Sequence, residues 1–302
     1  MSKETRTAYG ETLKDLALQR EDIIVMDADL SGATKTNIVQ QAVPSRHINA
    51  GIAEGDMIGM AAGLAASGKT VFASSFAMFV AGRAFEQIRN SVAYPHLNVK
   101  VCATHAGLSV GEDGASHQAI EDIALMRSVP NMEVYNPCDQ FETAAVIKYV
   151  ADTKLPTYVR LGRSKVEDVY NADTQFNFDI PTLVKQGNSK VLVIATGLMV
   201  QEALKASEQV DITVVDLCRI KPLNTQVIVD LCSKYDVVVT CEEHSVIGGL
   251  YSAICEILCQ NHPMKVVPIG VNDTFGESGK ANDVLAKYGL TADHIVEVVK
   301  SL

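Results

Sequence analysis

The stretch NVKVCATHAGLSVGEDGASHQ, residues 98–118, decides how the rest of the chain is read. It opens as a short valine-rich run, which predicts a buried strand. It then turns abruptly polar. His105 and His117, the acids Glu112 and Asp113, and Gly107, Gly111 and Gly114 follow with no apolar period, which makes a poor core element and a good loop at a strand's end. The same kind of join recurs in DIIVMDAD (22–29), RHINAG (46–51), TVFASSF (70–76), MEVYNP (132–137) and TYVRLG (157–162), with helical patterns between most of the runs. That rhythm predicts a parallel sheet with helices on its faces.

Beyond Gly162 the rhythm fades into VEDVYNADTQFNFDIPTLVKQGN (166–188), polar, aromatic and irregular, as in a connection crossing a surface. A second alternation begins with KVLVIATG (190–197) and continues through ITVVDL (212–217), DVVVTCE (236–242) and KVVPIG (265–270). The expected fold class is therefore α/β with two doubly wound domains, residues 1–165 and 189–302, joined by a linker at 166–188.

Length agrees, since 302 residues suit two compact units. Hydrophobic residues make up 47% and charged residues 21%, which excludes a disordered chain. Thirty-six acids against 26 Lys and Arg give a formal charge of -10, which repels nucleic acid backbones and anionic membranes. Small-molecule work is the better expectation. The start, MSKETRTAYGETL, lacks the basic and apolar pattern of a secretory signal, and no apolar stretch approaches ~20 residues, so a cytoplasmic location is expected. Seven cysteines form no C-x-x-C pair and read as small buried hydrophobes.

Ligands of open α/β sheets sit beyond the carboxyl ends of the strands. In the first domain those places are Asp27–Ser31, Gly51–Gly55, Thr104–Gly107 and Arg160–Ser164. One motif is set aside. Gly63–Thr70, GLAASGKT, matches the phosphate-loop pattern, yet a helix precedes it and a strand follows, the reverse of the order that aims backbone N–H groups at a phosphate.

Glu54 opens a helix directly after the run at 47–51, and alone it reads as a first-turn acid favoured by the helix dipole. Its neighbourhood, Gly-Ile-Ala-Glu-Gly-Asp-Met-Ile-Gly (51–59), resembles the pyrimidine-binding domain of transketolases and related thiamine diphosphate enzymes. The segment 104–118 resembles the transketolase loop T-H-x-x-x-x-x-G-E-D-G-x-x-H-Q, followed by Glu121 and the run Arg127–Asn131. Phe76 and Phe79 match the aromatic pocket for the aminopyrimidine ring, with Ala73 where a third aromatic is frequent. The alternative for those phenylalanines is ordinary core packing. In the second half, Cys241–His244 and Gly248–Leu250 are similar to the C-terminal domain of the same superfamily.

The resemblance also shows a gap. Complete transketolases carry upstream a Gly-Asp-Gly motif and a later Asn that hold Mg²⁺ and the cofactor diphosphate, and no Gly-Asp-Gly occurs in this sequence. The chain is thus identified as resembling the C-terminal subunit of a split transketolase, dependent on thiamine diphosphate and Mg²⁺. Its partner would be an N-terminal subunit carrying that motif, in an α2β2 assembly.

By residue-for-residue match, Glu54 would hydrogen-bond the aminopyrimidine, with Asp29, Phe76 and Phe79 as further cofactor contacts. His105 and His117 would act on the sugar at the reacting oxygens. Asp113, Arg163 and Arg6, with His105, would bind the substrate, the arginines suiting a terminal phosphate. The implied reaction moves a two-carbon ketol unit from a ketose, typically phosphorylated, to an aldose. Ser31–Lys35 departs from the family pattern at a phosphate-binding serine, which leaves the acceptor open. Competing readings are a 1-deoxyxylulose-phosphate-synthase-like enzyme, a 2-oxoacid dehydrogenase β chain, and a non-catalytic module binding a nucleotide or a protein. The paired histidines favour a polyhydroxylated substrate over the first two. No role follows from the residues of the second domain.

Overall fold

A computed structural model describes residues 2–302. In chain order its strands are β1 (Ser2–Glu4), β2 (Ile23–Asp27), β3 (His47–Asn49), β4 (Thr70–Phe76), β5 (Val99–Thr104), β6 (Glu133–Tyr135), β7 (Thr157–Arg160), β8 (Lys165–Glu167), β9 (Thr182–Lys185), β10 (Val191–Ala195), β11 (Thr213–Asp216), β12 (Arg219–Lys221), β13 (Val237–Ser245) and β14 (Lys265–Val271). They form a seven-stranded sheet ordered β12-β6-β7-β5-β4-β2-β3, a five-stranded sheet ordered β14-β13-β10-β11-β9, and a ribbon of β1 with β8. Pairing is parallel within the first sheet except for β12 against β6, and within the second except for β9 against β11.

The near-continuous apolar character of the central runs has its cause in this arrangement. β5 is buried at every position and β4 at all but its last, because helices cover both faces. Met57, Ile58 and Ala61 of the helix Glu54–Ala66 pack on one face with Val80, Ala81 and Ile123. Tyr9, Leu13 and Ala17 of the helix Thr5–Gln19 pack on the other with Val146, Ile147 and Val150. Lys100 is the exception inside β5. Its fully buried ammonium donates to the Thr153 and Leu155 carbonyls at 3.2 and 2.6 Å and to Thr153 Oγ1 at 3.1 Å, just past the helix Gln140–Asp152. Those acceptors replace water, and desolvation brings the group down to about 7.

Four strands lie where no run predicts one, and β1 and β8 among them pair with each other. β9 sits inside 166–188, so that segment is partly an edge strand as well as a connection. β12 leaves the second half of the chain and adds to the edge of the first sheet. Lys221 then donates to the Arg127 and Val129 carbonyls at 2.8 and 2.5 Å, stitching the two halves together. At Gly63–Thr70 the helix Glu54–Ala66 runs through Gly68, at φ +93°, into β4, so the backbone geometry of a phosphate loop is not formed.

Candidate active site

Glu54 is the first residue of its helix, and the preceding Ala53 has no side chain to cap it. The carboxylate therefore lies at the positive end of the helix, and it turns inward to 3% exposure. Ser75 Oγ approaches one oxygen at 3.4 Å, and Arg83 Nη1 donates to both at 3.2 Å. Arg83 stands at the end of the helix Ala77–Arg83, one turn beyond Phe79, and its guanidinium lies 4.2 Å from the Phe79 ring centroid.

The ring cluster is centred on Phe76, at the end of β4. Its centroid is 5.7 Å from Phe79, 3.8 Å from His105 in a stacked arrangement, and 6.3 Å from His117, which meets Phe79 edge-on at 5.1 Å. His105 follows β5 directly in the left-handed region, at φ +56°, and Asp29 follows β2 by two residues at φ +61°. Each non-glycine residue held there costs about 1 kcal/mol or more, strain that concentrates at working sites.

Arg6 Nη1 lies 3.1 Å from His105 Nε2 and Thr104 Oγ1 2.9 Å from Nδ1. Arginine can only donate, so Nε2 must be the acceptor and the ring proton sits on Nδ1, donated to Thr104. Burial, then the Arg6 charge, then Arg163, drive the imidazole down to about 3. His105 is thus neutral across the physiological range, with its one acceptor lone pair, at Nε2, held by Arg6. We expect its ring signals in NMR to stay constant from pH 8 to 5, and a midpoint near the ordinary value of about 6.5 would contradict this geometry. The native state takes up fewer protons than the unfolded chain below that value, so this residue's contribution to stability falls as pH drops from about 6.5 toward about 3.

The remaining predicted residues flank the cluster. Arg6 also binds Glu4 through Nε and Nη2 at 3.0 and 3.1 Å and the Ala33 carbonyl at 3.0 Å. Arg163 donates to the Val110 carbonyl at 2.5 Å and lies 3.6 Å from Asp113, so these two adjoin at the far end of the loop. Asp29 exchanges hydrogen bonds with Asn49, at the ends of β2 and β3, and none with the ring cluster. The structure thus brings Phe76, Phe79, His105 and His117 into contact, ties Arg6 to His105, and connects Glu54 to the rings through Arg83. Arg83 escaped sequence reading; the available signal was its spacing of four from Phe79 on one helix.

The second domain grips the loop 105–118 from behind. Glu243, at the carboxyl end of β13, accepts from Ser109 N at 2.5 Å, and its own carbonyl accepts from Arg160 Nη2 at 2.9 Å. Burial pushes the Glu243 carboxyl up to about 7 against the pull of Arg160. Glu242 caps the helix Leu250–Asn261 through Leu250 N and Tyr251 N at 2.6 and 2.9 Å, and His244 Nε2 accepts from Ala124 N at 3.3 Å. Elsewhere on this seam, Cys138, Glu142 and Asp216 place ligand-type atoms within 4.8 Å of one another, fully buried. Desolvation raises both carboxyls, the Asp216 charge raises Glu142 further, and the hydrogen bond from Glu142 lowers Asp216, as for two acids sharing a proton.

Comparison with known proteins agrees with this architecture. Residues 1–168 match the transketolase pyrimidine-binding domain and residues 182–295 the transketolase C-terminal domain. A Methanocaldococcus jannaschii protein, provisionally named a transketolase C-terminal section, is 48% identical over 98% of this chain and 95% of its own length. A 6-deoxy-6-sulfo-D-fructose transketolase subunit of Clostridium sp. is 37% identical over 96% of this chain and 92% of its own. Among solved structures, a split-gene transketolase described as an inactive β4 tetramer superposes with a TM-score of 0.89, at 47% identity, covering 99% of this chain and 97% of that one. The chain belongs to the transketolase family, as a C-terminal section made of the pyrimidine-binding and C-terminal domains.

Proposed function

We propose that this chain is the pyrimidine-binding half of a thiamine diphosphate-dependent transketolase that works only when a second subunit supplies the diphosphate and Mg²⁺ end of the site. The observation that carries the reading is a buried carboxylate, Glu54, connected through Arg83 to a wall of aromatic rings. A flat heterocycle with a polar edge needs an apolar face and one buried acid, so these residues fit the aminopyrimidine. The sequence holds no Gly-Asp-Gly for the other end. When bound, thiamine diphosphate supplies the nucleophilic carbon and the electron sink for moving a two-carbon ketol unit from ketose to aldose.

This chain's residues then have distinct tasks. Glu54 hydrogen-bonds the ring nitrogen of the aminopyrimidine, exchanging that contact for the one with Arg83. Phe76 and Phe79 offer their faces to the ring, and Asp29 stands at the cofactor's margin. His105 accepts a sugar hydroxyl at Nε2, exchanging that contact for the one with Arg6, and His117 binds the neighbouring reacting oxygen. Asp113 orients a further hydroxyl, and Arg163 with Arg6 meets the terminal anion, where a guanidinium fork suits phosphate or another tetrahedral oxyanion. The assembly is α2β2 with an N-terminal subunit, working in the cytoplasm.

Co-expression with an N-terminal-type transketolase subunit tests the reading. The purified pair, given cofactor and Mg²⁺, is expected to transfer ketol units from ketose phosphates, while either chain alone stays at background. A stable complex at background across a panel of phosphorylated and sulfonated ketoses would overturn it.

A further inference from the structure

In most open α/β sheets the crevice beyond the carboxyl ends of the strands holds a ligand. In the second domain that crevice is filled by the first domain. Glu243, at the end of β13, holds Ser109 N with its carboxylate and Arg160 with its carbonyl, and both groups are buried. The approach is close enough to dictate sequence. A Cβ on Gly107, already at φ +82°, would stand 2.3 Å from the Glu243 carboxyl carbon, and one on Gly276 would stand 2.0 Å from Gln118 Oε1. Gln118 Nε2 in turn donates to the Glu277 carbonyl at 2.9 Å, and Gly114 lies against Ser278. The loop between His105 and His117 therefore rests on the C-terminal domain at Gly107, Ser109 and Gly114.

We propose that the C-terminal domain acts in catalysis as the template of this loop, with Glu243 as the positioning residue that sets where His105 and His117 stand. The proposal rests on the transketolase reading above. Ser109 lies four residues from His105 and eight from His117, in a segment with left-handed glycines at 107, 111 and 114. Such a backbone has many alternative conformations, and the bond from Ser109 N to a buried strand end narrows them from the C-terminal side, as Arg163 and Ser164 do at the Val110 and Ser109 carbonyls. Because the loop sets the histidines against Phe76, a displacement of about 1 Å is worth up to about a hundredfold in rate.

The test compares Glu243→Ala with Glu243→Gln in the full chain assembled with its partner subunit. Gln keeps an oxygen to accept from Ser109, whereas Ala leaves the amide unpartnered. For Glu243→Ala, hydrogen exchange over residues 105–118 should rise at least about tenfold, and kcat/KM for ketol transfer should fall by about ten- to a hundredfold. Cofactor affinity, which depends on Glu54 and the phenylalanines, should stay within about twofold, and Glu243→Gln should restore both exchange and rate to within about threefold. If Glu243→Ala does not fold, Glu243→Asp, which keeps the carboxyl and withdraws it by one methylene, carries the same comparison. Unchanged loop exchange in a folded variant overturns the proposal. Exchange is read independently of activity, so absent ketol transfer in the unmutated pair would count against the function while leaving the template role to be decided by exchange.

Discussion

Replacing Glu54 by Gln is expected to lower ketol transfer by the assembled enzyme by about 10²–10⁴-fold, the range that a positioned acid or base contributes. Gln fills the same volume and can still accept from Ser75 and Arg83, so the helix start, the core beneath it and assembly with the partner are expected to be intact. What changes is the proton inventory. A carboxyl oxygen either accepts or carries a proton, whereas an amide nitrogen is a fixed donor that cannot take one up. The dipole at the N-terminus of Glu54–Ala66 and the Arg83 guanidinium both stabilise negative charge at this point, and neither has anything to act on in the variant. Steady-state rates, with size-exclusion profiles and thermal midpoints as controls, read the outcome. Activity within about fivefold of the parent in a correctly assembled pair would remove Glu54 from the mechanism.

How much of this was legible in the sequence follows the range over which each determinant acts. β2, β4 and β5 are apolar runs closed by polar residues, and burial on both faces of a sheet leaves little else for such runs to be. The loop at 104–118 was legible for the opposite reason, since histidines, acids and glycines without an apolar period have no core to join. Contacts between residues far apart in the chain were not. Arg83 pairs with a carboxylate 29 positions earlier, and Glu243 with an amide 134 positions earlier, and neither carries a local sign of its partner. β12 is three residues, Arg219–Lys221, too short for a period, and only the open edge of β6 makes it a strand. Lys100 shows the converse, because a lysine inside a valine run argues against full burial until Thr153 and Leu155 supply its acceptors.

Replacing Arg160 by Met should give the largest loss of stability in the molecule, about 3–5 kcal/mol, the cost of breaking a buried ion pair from one side. Arg160 closes β7 at 3% exposure, and its Nε donates to Asp122 Oδ2 at 2.9 Å, while Nη2 divides between the Ala119 and Glu243 carbonyls at 3.1 and 2.9 Å. Asp122 is buried too, and Tyr158 OH at 2.8 Å would be its remaining partner. Methionine fills the volume of the side-chain stem but leaves one buried carboxylate and two carbonyls without a cation. The penalty therefore belongs to what is left behind more than to the bond removed. The double variant Arg160→Met with Asp122→Asn tests this, since removing the orphaned charge should recover a substantial part of the loss. At roughly 2–4 °C per kcal/mol for a chain of this size, the single variant should melt about 6–20 °C lower. A single variant within about 3 °C of the parent, or a double variant as damaged as the sum of its parts, would show that this buried pair is not the anchor of β7 that its geometry requires.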